Sequence, residues 1–433
     1  MRVILLSAEY PPREGGVGDY TRRLALALCG EGQEVSILTS AGTSGAPGDP
    51  LQVYPRVANW GWGCLPAISR HLHECRPAVL HLQYQTGAYG MHPAIHFLPE
   101  VLRCLPAPLR LVVTMHDLRL PYLFPKAGRL RHLLVAHLLR QADAVVVTNG
   151  ADLLRLGGEL TPTPVPSSSR GRGVRPARDL LHPLPPGALR RPPSLIPLGS
   201  GLPPDLPGYD RAAVRARVGV GPEEALLGHF GLLHPSKGAD LLVEALGRLR
   251  PAGRTSTGSV QRPARLLLVG GGVGETDPGN VSFREELRAL IGRLGVGEAV
   301  LRTGVCSDVE AAGYLRACDL VVLPYRDGAS FRRSSLVAAL SLGCPVVTTA
   351  PLDPEEVSLG AGQAALQDGA NVFLVPRGDA TALAAAIAGL LEDSSRRKGL
   401  GEGAGRLGEA FRWEGIARQT LSLYADLAGV QGH

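Results

Sequence analysis

Three glycines stand close together near the start of the chain, followed at once by an acid and a tyrosine. They are Gly15, Gly16 and Gly18, with Asp19 and Tyr20, and they separate a short apolar run from a helical pattern. Glycine lets backbone N–H groups approach a ligand closely, and the start of a helix attracts negative charge. The turn is a candidate anion site, although a tight strand-to-helix turn also needs glycine for steric reasons alone.

A histidine and an aspartate, His116 and Asp117, follow the apolar run at 111–115. If that run is a buried parallel strand, both residues lie at the carboxyl edge of a sheet, where open α/β sheets bind ligands. A histidine at that edge can donate a hydrogen bond to a ligand or accept one. The alternative is a structural histidine whose partner is Asp117.

Lys237 lies at the start of a helical pattern in the second half of the chain. A lysine at a helix start offers a point charge to a phosphate group. The chain contains three lysines among its 45 basic residues, so a lysine at this turn stands out against an arginine-rich composition. The alternative is an ordinary solvated residue at a helix start.

Two arginines and two serines converge on a later turn, again before a helical pattern. The turn contains Ser330, Phe331, Arg332, Arg333 and Ser334. Arginines beside a helix N-terminus favour anion binding, because a guanidinium group matches the oxygens of a phosphate. Serine capping with solvated arginines is the alternative interpretation.

The elements that must position these residues alternate between short apolar runs and amphipathic stretches, a pattern typical of parallel α/β layers. The predicted strands are 3–7, 35–39, 79–83, 111–115, 144–148, 195–198, 226–230, 265–269, 300–303, 320–323, 346–349 and 372–375. The pattern predicts two doubly wound domains, 1–200 and 201–410, and a last helical segment at 411–433. The Pro-, Ser- and Arg-rich stretch 161–193 is predicted to be a disordered insertion, with a smaller insertion near 253–262.

The positive charge of the chain is concentrated in one place. The stretch 161–193 carries six arginines and one acid, which accounts for most of the net charge of +6. The rest is nearly neutral, so a general nucleic-acid surface is not expected. Seven scattered cysteines and the lack of an apolar stretch of about 20 residues predict a cytoplasmic protein without a membrane span.

Together, these motifs resemble the retaining glycosyltransferases of family 4, which have the GT-B architecture of two Rossmann-like α/β domains facing each other across a cleft. The resemblance covers nearly the whole chain outside the two insertions. It rests on the motifs at 15–18, 114–117, 196–199, 235–238, 269–272, 303–305 and 342–347. Each motif is weak alone, whereas their order and spacing are specific.

The resemblance implies that the first domain binds the acceptor and the second binds a nucleotide diphosphate sugar. His116, Asp19 and Lys237 would be the catalytic residues. The donor would contact Lys237 and three turns, through Gly15, Gly16, Gly18, Gly304, Val305, Ser330, Phe331, Arg332, Arg333 and Ser334. The acceptor side would include Tyr20, Asp117 and a Gln-Tyr-Gln segment that resembles a subset of the family, Gln83, Tyr84 and Gln85. Trp413 would begin a helix that returns to the first domain.

The chain departs from the family pattern at two places. The Glu-x7-Glu pair of the family falls on Ser330 and Ala338, and the arginine expected after Gly231 is Leu232. An alanine at 338 cannot accept a hydrogen bond from a ribose hydroxyl. Arg332 and Arg333 could supply the lost positive charge, which would make the two departures one coupled change.

The expected function is transfer of a sugar from a nucleotide diphosphate donor to an acceptor that the sequence does not name. Neither a metal nor another cofactor is expected, because the chain has no Asp-x-Asp pair. Two alternatives remain: a nucleotide-sugar-binding protein that has lost catalysis, and an epimerase or phosphorylase on the same fold. Leucines and arginines at 126–140, including Leu133 and Leu138, add a possible peripheral contact with a membrane surface.

Overall fold

The computed structural model describes residues 1–13, 15–46, 48–106, 109–118, 128–157, 184, 187–249, 262–270, 278–360 and 365–429. The predicted insertion at 161–193 lies mostly outside these residues, and so does the one near 253–262. Contacts divide the chain into two compact units. The first contains Met1–Gly199 and Trp413–His433, with the short piece Leu359–Gln363, and the second contains Ser200–Ser358 and Ala364–Arg412.

The first unit is built around a parallel sheet. Within the described residues its order is β3-β2-β1-β4-β5-β6-β7. The strands are β1 Arg2–Leu6, β2 Glu34–Ser40, β3 Gln52–Val57, β4 Val79–Tyr84, β5 Arg110–Met115, β6 Ala144–Val147 and β7 Ser194–Leu195. The helices between them are α1 Gly16–Gly30, α2 Cys64–Cys75, α3 Leu98–Leu102, α4 Gly128–Gln141 and α5 Gly150–Arg155.

Apolar residues cover both faces of this sheet, as a parallel sheet between helices requires. Strand β1 shows the arrangement, because Ile4 and Leu6 belong to one buried cluster while Val3 and Leu5 belong to another. Successive side chains of a strand point to opposite faces, so a strand buried on both sides is a continuous apolar run. That is why the runs in the sequence, and not an alternating pattern, indicated these strands.

The second unit repeats this design. Within the described residues its sheet has the order β10-β9-β8-β11-β12-β13. The strands are β8 Ala225–Phe230, β9 Ala264–Val269, β10 Val300–Arg302, β11 Leu320–Leu323, β12 Val346–Thr349 and β13 Phe373–Val375. The helices are α6 Arg211–Arg217, α7 Ala239–Leu249, α8 Pro278–Arg293, α9 Asp308–Ala317, α10 Ser334–Ser341, α11 Ala380–Glu392 and α12 Ser394–Gly408. All described strand pairs of both sheets are parallel.

A last helix, α13 Trp413–Ala428, belongs to the first unit. Its buried Ile416 and Tyr424 join the apolar cluster that α1 contributes to. The Tyr424 hydroxyl lies 2.6 Å from Nδ1 of His81 on β4. A Cβ atom at Gly199 would overlap the ring of Trp413, so the chain passes this indole without room for a side chain.

Two strand predictions needed correction. Strand β3 was not predicted, because Gln52–Val57 contains Pro55 and is largely exposed, so it lacks the apolar run of a central strand. Strand β7 ends at Leu195 and not at Leu198. Pro197 has no N–H to donate to a neighbouring strand, which is consistent with that early end.

Candidate functional site

The second sheet reverses its winding direction between β8 and β11. Strands β9 and β10 extend from β8 on one side, while β12 and β13 extend from β11 on the other. At such a switch point the loops after the two central strands part and leave a crevice at their carboxyl ends. Here those loops are residues 231–238 and 324–333, and the N–H of Arg326 donates to the Ser236 carbonyl at 2.9 Å.

Glycine brings Lys237 to this crevice. Gly231 has a φ of 114°, and a Cβ atom there would overlap Nζ of Lys237. Gly238 has a φ of 69°, and a Cβ atom there would overlap the carbonyl oxygen of Pro324. Both positions favour glycine because their positive φ is costly for other residues, and at Gly238 the space is also filled by backbone. The ammonium group is thereby held at the end of β8, against the loop that follows β11.

The charge on Lys237 is not balanced by a neighbouring acid. Among the residues that the structure describes, no carboxylate forms an ion pair with it. Burial and then the positive charge of Arg333 lower the pKa of Lys237 to about 8. Burial and a neighbouring positive charge both disfavour the charged form of a lysine. A lysine kept in such surroundings is typical of a site that binds an anion.

The two adjacent arginines have different partners. Arg333 forms an ion pair with Asp327, reaches Ser236 Oγ at 3.5 Å, and places its guanidinium carbon 5.2 Å from the centre of the Tyr325 ring. Arg332 instead lies 3.8 Å from Glu356. Arg333 contacts Ser236, the residue before Lys237, and its positive charge lowers the pKa of Lys237. Arg333, and not Arg332, is therefore the second cation of the crevice.

The remaining residues of the 330–334 turn divide between core and surface. Ser330 is buried and its Oγ accepts from the Arg332 N–H at 3.2 Å. The Phe331 ring is fully buried, 5.1 Å from the Phe411 ring, so only its main chain could meet a ligand. Ser334 is exposed at the start of α10, and Ala338 is fully buried within that helix.

Gly304 and Val305 lie beyond the end of β10. Gly304 has a φ of 70° and forms an isolated bridge with Gly270, which follows β9. The Gly270 N–H donates to Thr303 Oγ1 at 3.0 Å, which fixes the two loop ends together. Val305 is 88% exposed, so its apolar side chain is open to contact.

The first sheet has its own switch point, between β1 and β4. The glycine turn after β1 packs closely on itself, because a Cβ atom at Gly18 would lie 3.1 Å from the backbone nitrogen of Tyr10. A Cβ atom at Gly15 would overlap the carboxylate of Glu9, whose pKa is raised by burial. Gly16 and Asp19 are exposed at the start of α1. Glu9 was not singled out from the sequence, where it lies six residues before Gly15 and only the fold brings the two together.

His116 follows β5 and is surrounded by predicted site residues. Its Nε2 lies 3.0 Å from Oε1 of Gln83, and its ring centre lies 4.7 Å from that of Tyr20, edge to face. Burial lowers the pKa of His116 to about 3, so the imidazole is neutral. Since Oε1 of the Gln83 side chain accepts from Nε2–H, the other ring nitrogen, Nδ1, is left as a hydrogen-bond acceptor.

The other acceptor-side predictions lie in different surroundings. Tyr84 is fully buried and its hydroxyl lies 2.8 Å from Nε2 of His96, so its side chain is part of the core. Gln85 and Asp117 are partly exposed at the same edge of the sheet. His116, Gln83 and Tyr20 therefore form one cluster, which Tyr84 does not join.

The described residues include neither a metal-binding cluster nor a membrane-spanning helix. No group of three or more His, Cys, Asp or Glu side chains in these parts of the chain is arranged to hold a metal ion. No helix in the same ranges is long and apolar enough to cross a bilayer.

Two family models match the chain, one in each unit. The model described as "Glycosyl transferase 4-like domain" matches residues 15–157, and "Glycosyl transferases group 1" matches residues 224–393. The chain belongs to glycosyltransferase family 4. The first match begins at Gly15 and includes His116, and the second includes Lys237 and Arg333, so both family 4 models cover the clusters described above.

Individual family 4 relatives agree with these matches. The chain is 31% identical over 235 residues to a D-inositol 3-phosphate glycosyltransferase of Kineococcus radiotolerans, covering 53% of this chain and 51% of that protein. A protein of the same name from Xylanimonas cellulosilytica is 28% identical over 98% of this chain and 96% of its own length. The chain thus matches about half the length of the first of these relatives.

A solved structure supports the fold. Anabaena Alr3699/HepE, crystallised in complex with UDP-glucose, superimposes with a TM-score of 0.67 at 19% identity, over 98% of this chain and all of that one. At that identity the likeness shows the GT-B fold alone, and not the ligand.

Proposed function

We propose that this chain is a glycosyltransferase whose donor is a nucleotide diphosphate sugar bound by the second unit. The observation that carries the proposal is the pair Lys237 and Arg333 at the switch point of the second sheet, where Lys237 has no carboxylate partner among the described residues. Two cations in one crevice fit a diphosphate, which carries charge on both phosphates.

The two cations would act mainly on the departing group. When the bond between the sugar and the diphosphate breaks, negative charge grows on the leaving phosphate oxygen. Preorganised cations and helix N-termini stabilise that charge more than they stabilise the intact donor, and this difference accelerates the reaction. Lys237 and Arg333 are held in place by glycine geometry and by Asp327, so little reorganisation is needed.

His116 would act on the sugar side. Its neutral imidazole offers Nδ1 as an acceptor for a hydroxyl group, because Nε2–H is occupied by Gln83. A neutral acceptor can orient a hydroxyl without adding a charge near the reacting carbon. Asp19 and Tyr20, at the start of α1, are proposed to border the same region.

UDP sugars are the first donors to be tested, since Anabaena HepE was crystallised with UDP and with UDP-glucose. The names of the curated relatives make D-inositol 3-phosphate the first acceptor to be tested.

Retention of configuration is proposed from family membership. Metal independence is proposed from the charge arrangement, because Lys237 and Arg333 can neutralise a diphosphate without a divalent cation.

A donor-hydrolysis screen tests the proposal. UDP, GDP and ADP sugars are incubated with the full chain and with Lys237→Ala, with and without EDTA, and free nucleoside diphosphate is measured. We expect turnover of a UDP sugar that EDTA does not reduce and that Lys237→Ala abolishes. The contrary outcome is tight UDP-sugar binding with neither hydrolysis nor transfer to any acceptor tested. That outcome would favour a binding protein that lost its activity together with the glutamates now replaced by Ser330 and Ala338.

A peripheral contact between α4 and a membrane surface is a further proposal. Of the leucines that the sequence suggested for this contact, not all are exposed. Leu133 is 60% exposed and Arg140 is exposed, whereas Leu138 lies in the core. The alternative is a packed helix with a solvated basic edge. Co-sedimentation with anionic and neutral vesicles distinguishes the two, using a variant that lacks residues 161–193 so that its arginines cannot bind lipid. Equally weak pelleting with both vesicle types would exclude the contact.

A further inference from the structure

The first unit presents an exposed tryptophan at the ligand-binding edge of its sheet. Trp62 follows β3 and is 56% exposed, and it lies beside the loop that follows β4. Both loops leave the carboxyl ends of parallel strands, which is the edge where His116 also lies. None of the motifs used above includes this residue.

The loop that carries Trp62 is firmly anchored. Trp60 donates from Nε1 to Ser40 Oγ at 2.9 Å, and its ring lies edge-on to Tyr89 with centres 4.8 Å apart. The Tyr89 hydroxyl in turn donates to the Gln83 carbonyl at 2.9 Å. These contacts tie the two loops to β2 and β4, so the position of Trp62 is set by the sheet.

The rings that touch Trp62 leave much of it open. His92 lies 5.5 Å away at 84°, and Phe97 lies 5.5 Å away at 47°. Neither ring is stacked parallel on the indole. An indole packed for stability alone would be buried, since a tryptophan side chain is among the largest apolar groups.

A hydrogen-bond donor lies beside this indole. The Nδ1 atom of His92 accepts from the Ala94 N–H at 3.1 Å, so in the neutral ring Nε2 carries the proton. A Cβ atom at Gly61 would lie 3.8 Å from that Nε2, which places the donor next to the residue preceding Trp62. Asn59 accepts from the Gly61 N–H at 3.1 Å and completes a polar rim.

We propose that Trp62 and His92 form a subsite for a pyranose ring of the acceptor. A pyranose has an apolar face of C–H groups and a rim of hydroxyls, which matches an open indole with a polar rim. The inference rests on the proposed function, because it assigns the acceptor to the first unit. It adds that the acceptor carries a pyranose ring, which distinguishes it from D-inositol 3-phosphate, whose ring is a carbocycle, and that this ring binds on the side of the sheet edge where β3 and β4 end.

Saturation-transfer difference NMR of the full chain tests this subsite. The probes are the methyl α- and β-glycosides of glucose, galactose and mannose at millimolar concentration. We expect at least one probe to bind with transfer to its axial ring protons. Binding should weaken about tenfold in Trp62→Ala and persist in Trp62→Phe, because the phenyl ring keeps an aromatic face. Leu154→Ala, another exposed apolar residue of this unit, is the matched control and should bind as the parent does.

Other outcomes overturn the proposal. If no glycoside binds, or if Trp62→Ala binds as the parent does, the subsite does not exist. If Trp62→Ala no longer pellets with anionic vesicles but keeps every glycoside contact of the parent, the indole binds a lipid surface and not a sugar. UDP titration of the same variants separates this from the donor site: Trp62→Ala should bind UDP normally, whereas failure of the parent to bind UDP would contradict the proposed function itself.

Discussion

The Nε2 atom of His116 lies 3.0 Å from Oε1 of Gln83, and the Gln83 side chain is completely buried. The amide nitrogen of Gln83 has no hydrogen-bond partner among the described residues. Among the described residues, the Gln83 side chain therefore has the imidazole as its hydrogen-bond partner. A buried residue of this kind orients the histidine and does not itself meet the acceptor.

Replacing Gln83 should change how activity depends on pH. In Gln83→Glu, a carboxylate beside Nε2 stabilises the imidazolium and raises the pKa of His116 from about 3. Protonation then removes the Nδ1 acceptor, so donor hydrolysis by the variant should fall with decreasing pH where the parent stays flat. Gln83→Met, which keeps the volume, should lose about two- to tenfold in turnover across the whole range. A parent-like pH profile for Gln83→Glu would rule out the positioning role.

Donor affinity should depend on Lys237 and Arg333 more than on Arg332. Truncating a cation that faces a partly desolvated phosphate costs about 2 to 5 kcal/mol, so Lys237→Ala should weaken UDP binding at least about 30-fold. Arg332→Ala should have a smaller effect, because Arg332 lies beside Glu356. Calorimetry with UDP measures this, and Lys398→Ala, an exposed lysine in the same unit, controls for the loss of one charge. Equal affinities for the parent and Lys237→Ala would show that the donor binds elsewhere.

UDP binding should weaken as pH rises through about 8. Lys237 has a pKa of about 8 in the free protein and binds a diphosphate only when charged. Below pH 8 Lys237 already carries its charge. Above pH 8 the Lys237 amine must take up a proton before UDP binds, so the dissociation constant should rise by up to about tenfold per pH unit. Lys237→Arg keeps its charge throughout and should lose this dependence. The phosphate groups of UDP are already ionised in this range, so they do not mimic the effect.

Stability of the first unit should depend on the Tyr424 hydroxyl. Nδ1 of His81 lies 2.6 Å from that hydroxyl, and Nε2 lies 2.6 Å from Thr114 Oγ1. Tyr424→Phe leaves a buried ring nitrogen without a partner, which costs about 1 to 3 kcal/mol. The denaturant midpoint should fall accordingly, while Tyr54→Phe, whose hydroxyl has no hydrogen bond among the described residues, should leave it unchanged. No difference between the two variants would mean that α13 is held by apolar contacts alone.

The central strands of both sheets could be predicted because burial on both faces makes them continuous apolar runs. Strand β11 was predicted with its observed bounds, Leu320–Leu323. One edge strand, Gln52–Val57, was not predicted, because a strand exposed to water need not be apolar. The place of Lys237 in the loop after β8 could be predicted from its glycine turn, since Gly231 and Gly238 set the backbone geometry locally.

Contacts between distant segments could not be predicted from the sequence. Arg332 and Arg333 are adjacent and alike, and only the folded loops give one to Glu356 and the other to the Lys237 crevice. Gln83 and Tyr84 likewise lie on opposite faces of β4, so one meets His116 and the other meets His96. Which face of a doubly buried strand points to a ligand depends on neighbouring strands, which a local pattern does not specify.

The return of α13 to the first unit has a consequence for how the chain is made. All residues of the second unit lie within 200–412 and are synthesised before α13, so the first unit still lacks Tyr424 when they have emerged. His81 and the apolar face of α1 therefore stay exposed until α13 has been synthesised. The second unit can therefore fold before the first unit, which reaches its final packing only once α13 has been synthesised.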